Sequence, residues 1–97
     1  MADNVTAIGI WNVVTTAVDY TARNHDMVLV DASLGAIAIT LPAEHANVYV
    51  DAKKTDSSAN AVTVTGIGTI DGSGNLTIST QYDSYTLVCD GTNWHII

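Results

Sequence analysis

AVTVTGIGTIDGSGNLTISTQYDSYTLVCDGTNWHII, residues 61–97, decides the fold class. Four short runs in it alternate apolar and polar residues (61–65, 76–80, 85–89 and 93–97), and Gly, Asp, Asn and Ser clusters separate them. A side-chain period of two is the mark of a half-buried strand, so the stretch reads as a β-meander. Asp90-Gly91 is a hairpin signal because both residues tolerate positive φ. Asp71-Gly72-Ser73-Gly74-Asn75 is the longest break and reads as an exposed loop. Alternation puts Trp94 and Ile96 on one face of the last run, and Tyr85, Leu87 and Cys89 on one face of the run before it. The opposite faces, with Val88 and Ile97, are also apolar. A small chain has little material to cover two faces, so a second copy is expected to do so.

Working outward, Ala36–Leu41 alternates, with Ile37, Ile39 and Leu41 together. Pro42 ends it by removing a donor. One helical turn is expected at 43–46 and no other helix. Asn47–Lys54 places Val48, Val50 and Ala52 on one face with Tyr49 opposite. Met27–Asp31 is a continuous apolar run of the kind found in a covered sheet, and Asn12–Tyr20 is a β-propensity run. The total is about eight short, mostly antiparallel strands, in a sandwich, jelly-roll or barrel. Residues 1–12 form an N-terminal arm or edge strand, and 13–97 a single β-domain. The chain's 97 residues include 13 Thr, 11 Val and 9 Ile, a β-branched third that favours strands.

Charge and composition exclude several roles. Ten acids against three bases give −7, which opposes nucleic-acid binding because that binding needs phosphates neutralised. No 18-residue apolar run exists to span a membrane, and the acidic start has no signal-type segment, which predicts a protein made and kept in the cytoplasm unless it leaves as part of a larger particle. Cys89 is alone, so no intrachain disulfide is possible; its strand setting reads as an inert buried thiol. His25, His45 and His95 lack the spacing of a zinc site. Residues 71–75 begin like a calcium loop, but Leu76 and Tyr82 stand where that loop needs Gly and Glu; a plain turn is the simpler reading. No nucleophile elbow frames a Ser. No catalytic residue, cofactor or metal is therefore expected. Trp11, Trp94 and the tyrosines suit sugar stacking, but core or interface duty suits them better.

Residues 53–64 (KKTDSSANAVTV), 68–80 (GTIDGSGNLTIST) and 81–97 (QYDSYTLVCDGTNWHII) together resemble a small module of tailed-bacteriophage virion proteins. It is found in head decoration proteins, tail fibres and tailspikes. Residues 27–54 are similar to the first half of that module, with its strand, ITLP break and return strand. The resemblance runs from about Tyr20 to Ile97; residues 4–11 have no counterpart in it, and Cys89 is unusual. It implies a non-enzymatic structural module, commonly trimeric, whose copies cover one another's apolar faces. A module with only a short arm attached points to a homotrimeric capsid decoration (cement) protein, bound to the major capsid protein on the outer surface of the virion head. The alternative is a tail fibre or tailspike module for trimerisation or for binding a host receptor or glycan. The interface is expected at Val5, Ile8, Ile10, Trp11, Tyr85, Leu87, Trp94 and Ile96, with the uncharged arm 4–11 in the trimer seam or against the shell.

Overall fold

The computed structural model describes residues 11–97, and the regular elements among them are all β-strands. They are β1 (Asn12–Thr16), β2 (Tyr20–Thr21), β3 (Asp26–Val30), β4 (Ile37–Thr40), β5 (Tyr49–Lys54), β6 (Val62–Ile70), β7 (Ser73–Ile78), β8 (Ser84–Cys89) and β9 (Trp94–Ile96). One sheet runs β1-β3-β5-β8-β9-β6-β4-β2, with β7 branching from β6, and curls into a nearly closed, barrel-like wall.

The order follows from how the first six strands wind. Each turn of the chain leaves one strand on one wall and the next on the facing wall. β1, β3 and β5 thus stack in parallel, in the register Val14, Val28, Ala52. β2, β4 and β6 stack in parallel opposite them, in the register Tyr20, Ile39, Val64. Alternation then fills the space between the walls with Val28, Val30, Val50 and Ala52 from one side and Ile37, Ile39, Val62 and Val64 from the other, all buried. The expected inward set of Ile37, Ile39 and Leu41, and that of Val48, Val50 and Ala52, is the observed one.

β7 to β9 close the wall. β7 folds back on β6 through Asp71-Gly72, whose φ values of 49° and 84° are those of a type I′ turn. The loop expected over 71–75 is therefore a two-residue turn, with Ser73 to Asn75 already in the strand. β8 lies antiparallel on β5 (Ala52 opposite Tyr85), and β9 lies antiparallel on β8 (Leu87 opposite Ile96). Trp94 meets Ile70 of β6 and completes the curl.

Three expectations are corrected here. Five of the eight pairings are parallel, and three are antiparallel. A tight turn predicts that neighbours in sequence pair, but β1 to β6 cross between walls at each bend, so their partners lie two strands along. The meander over 61–97 is likewise interrupted, since β8 pairs with β5 and not with β7. The helical turn at 43–46 is absent. Its place is taken by a turn in which Val48 N donates to His45 O (3.2 Å) and Asn47 takes φ 72°. Four residues between two strand-bound ends cannot offset the cost of a helix nucleus.

Polar groups pin both ends of the winding. At the bend after β5, Lys54 is fully buried and its Nζ lies 2.7 Å from Asp56 Oδ2. Asp56 Oδ1 accepts Ala32 N (2.8 Å), its Oδ2 accepts Ser58 N (3.0 Å), and Asn60 Nδ2 donates to Ala32 O (2.8 Å). One buried carboxylate thus ties the bend after β3 to the bend after β5. At the other end, buried Asp26 accepts from Tyr20 Oη (2.6 Å), Asn12 Nδ2 (2.8 Å) and Arg23 N (2.8 Å). Burial pushes the Asp26 carboxyl up, but these three donors outweigh it and hold it below the usual range.

Candidate interaction surface

Among the described residues three strands have an open side: β7, which pairs with β6 alone, and β1 and β2, which end the strand path and lie at the same end of the molecule. In β1, Asn12 N donates to His25 O (2.9 Å) and Thr16 O accepts Asp31 N (2.9 Å). A parallel ladder bonds alternate residues to one neighbour, so Asn12, Val14 and Thr16 face β3. Val13 and Thr15 then direct their N–H and C=O groups to the free side, a template for another strand. Val13 (62% exposed) and Val18 in the β1–β2 bend (68%) put apolar surface beside that edge.

Trp11 leads into this edge. It is half-buried and packs edge-on against Tyr49 of β5, with ring centroids 5.0 Å apart; His25 lies on the same Tyr49 ring at 4.2 Å. These aromatics sit on the outer face of the β1-β3-β5 wall, where Met27 and Leu29 are half-buried and Asp51 is nearly covered. Burial pushes the Asp51 carboxyl up, opposed by the hydroxyl of Thr86, whose Oγ1 is 2.5 Å from Asp51 Oδ2. The facing wall turns Thr21, Thr40, Thr63, Thr65 and Thr77 outward, an uncharged hydroxyl-bearing face.

Of the residues expected at an interface, Trp11 is on this outer face. Leu87 and Trp94 are not on any surface: both are 0% exposed, Leu87 across from Val50 and Ile96, Trp94 across from Cys89. Their bulk serves the core, because a curled sheet gives its inner face to its own opposite wall. Tyr85 and Ile96 are half-buried and pack against the same core. Val5, Ile8 and Ile10, with the rest of 1–10, lie outside the described residues. Asn12, expected at the end of an arm or edge strand, is the first residue of the edge strand β1.

The groups with chemical potential are engaged structurally. Ser58 Oγ is 3.4 Å from Lys54 Nζ, a Ser–Lys approach, but Asp56 neutralises the ammonium and also takes the Ser58 hydroxyl, leaving no free base. His95 Nε2 pairs with Asp90 Oδ2 at 2.8 Å, and its Nδ1 is 3.7 Å from Asp71 Oδ1. Cys89 is buried, and its sulfur accepts Gly91 N at 3.4 Å. Among the described residues no three His, Cys, Asp or Glu side chains group to hold a metal, and no helix is long and apolar enough to cross a membrane. Sequence reasoning missed the burial of Lys54. The signal was present, since Lys54 continues the inward series Val50, Ala52, but a lysine is normally assigned to solvent.

Compared with protein-family models and with curated proteins, the chain matches none.

Proposed function

We propose that this protein is a non-enzymatic structural component of a tailed-bacteriophage virion: a homotrimeric decoration protein that binds the major capsid protein and stabilises the head shell. The observation that carries an assembly role is the open end formed by β1 and β2, with free backbone groups at Val13 and Thr15 and exposed Val13 and Val18 beside them. An edge of this kind is a liability unless another chain covers it. The likeness of residues 20–97 to phage virion modules supplies the setting. The net charge of −7 supports contact with protein over contact with nucleic acid.

A second reading, a tail module that binds a host glycan, is favoured by Tyr82. Its ring is 63% exposed on the β7–β8 loop, with Lys53 Nζ 5.5 Å from the ring centroid. A sugar face stacks on such a ring.

One experiment tests both. The protein is quantified against the main shell protein in purified particles and located on them by antibody labelling. Copy numbers commensurate with the shell protein, with label over the head, are expected. A handful of copies at the tail tip moves the assignment to the second reading, and absence from the particle overturns both.

A further inference from the structure

Glu44 lies in the bend between β4 and β5, and its Oε2 is buried with no hydrogen-bond donor among the described residues. A carboxylate oxygen in that state is costly. Its surroundings sharpen the problem. The position that a Cβ on Gly68 would take lies 2.4 Å from Thr92 O, 2.9 Å from Asn93 Oδ1 and 3.0 Å from Glu44 Oε2. Three oxygens from two separate segments, the bend at Glu44 and the corner at Thr92-Asn93, therefore lie beside Gly68. The two oxygens of the Thr92-Asn93 corner are held in place. Asp90 Oδ1 accepts Thr92 N (2.9 Å) and Asn93 N (2.8 Å), which fixes the corner. Asn93 Oδ1 is held towards β6 by Thr69 N (3.0 Å) and the Thr69 hydroxyl (3.1 Å).

No basic side chain answers them. Lys54 is paired with Asp56, Lys53 is over Tyr82, and Arg23 sits in the turn at Asp26. We propose that the Glu44–Gly68–Asn93 corner is a binding site for a hard divalent cation, Ca²⁺. A carboxylate, an amide carbonyl and a main-chain carbonyl form an all-oxygen donor set with no nitrogen or sulfur, which excludes a zinc-type preference. Ca²⁺ accepts irregular oxygen shells at about 2.3–2.6 Å and fills remaining positions with water, whereas Mg²⁺ demands a near-ideal octahedron. With one charged ligand the site is a weak one, in the range of about 10⁻⁴–10⁻³ M. Gly68 is part of the design, because a methyl group there would occupy the space on which the oxygens converge. The Thr69 hydroxyl turns its hydrogen away on binding, and the Thr69 N–H keeps its bond to the second lone pair of Asn93 Oδ1.

The test is made on the full chain. Thermal unfolding is followed in EDTA with NaCl, then in about 10 mM CaCl₂ at equal ionic strength, and terbium luminescence is read on tryptophan excitation, since Trp94 adjoins Asn93. Expected are a rise in midpoint of about 5–10 °C with Ca²⁺ and saturable terbium emission at a single site, displaced by Ca²⁺. Glu44→Gln, which keeps the shape and removes the charge, should lose both responses while its circular dichroism stays native. If the wild type shows no calcium shift and no saturable emission, or if Glu44→Gln binds as the wild type does, the proposal is overturned. Should Glu44→Gln fail to fold, the wild-type shift and terbium stoichiometry still decide.

Discussion

Asp90 holds the β8–β9 corner through both carboxylate oxygens, Oδ1 on the N–H groups of Thr92 and Asn93, Oδ2 on His95. The Asn93 N–H first, then His95 and Thr92, keep its carboxyl far below the usual carboxylate range. Asp56 is held down in the same way, by the Lys54 ammonium first and then Ser58. A group whose folded-state pKa is depressed stabilises the fold above its unfolded pKa, about 3.9 for Asp, and that contribution is lost as pH falls through the lower folded value. Asp51 has the opposite sign. Burial raises it, so its charged form is a cost above the ordinary carboxylate pKa, and acid relieves that cost. Two strongly held carboxylates outweigh one raised one. The urea midpoint is therefore expected to fall as pH drops from about 5 to about 2. Asp90→Asn should be less stable than the wild type at pH 7 and should show a flatter pH profile. Parallel profiles for the two proteins would remove Asp90 from this account.

At the scale of elements, the hairpin turns divide into those a sequence states and those it does not. Asp71-Gly72 carries positive φ at both positions, and the glycine at the second meets nothing within 4 Å of a built Cβ. Its requirement is conformational, not spatial. Gly72→Val is expected to cost about 1–3 kcal/mol in chemical denaturation. Gly74→Val, in the adjoining strand with open space and no positive φ, should stay within about 0.5 kcal/mol of the wild type. Equal effects at the two sites would mean the turn is not what sets the β6–β7 register. Which strands exist was legible because alternation at Ile37-Ala38-Ile39 or Val62-Thr63-Val64 is local information. Which strands pair was not, because the choice between crossing to the facing wall and folding back depends on bend geometry at 17–19, 31–36 and 55–61, where no residue type dictates direction. Buried Lys54 and the oxygens around Gly68 were hidden for a related reason: each depends on segments far apart in the chain. Gly68 was visible as a glycine, but its reason is Thr92 O, 24 residues away.

The whole molecule has one closed end and one open end. β8 and β9 bridge the two parallel stacks on one side, while β1 and β2 end them on the other. A partner that continues the sheet there adds to β1 or β2, the other open edge being that of β7; in a homotrimer of this chain the simplest seam uses the β1 edge, where exposed Val13 and Val18 add apolar contact. That gives a test which leaves the fold alone. Thr15 is exposed, and its N–H points away from β3, so Thr15→Pro removes a donor the domain does not use. Its φ is restricted to a value that an edge strand tolerates, and the residue before it, Val14, is already extended, as the residue before a proline prefers. The variant is expected to keep its circular dichroism spectrum and to lose no more than about 1 kcal/mol of stability. Sedimentation equilibrium should find the wild type at three times the monomer mass and the variant at the monomer mass or in a dilution-dependent equilibrium. A wild type that sediments as a concentration-independent monomer would remove the trimer. A variant that stays trimeric with unchanged affinity would keep the trimer but move its seam away from β1, to the β7 edge or to the outer face that carries Trp11 and Tyr49.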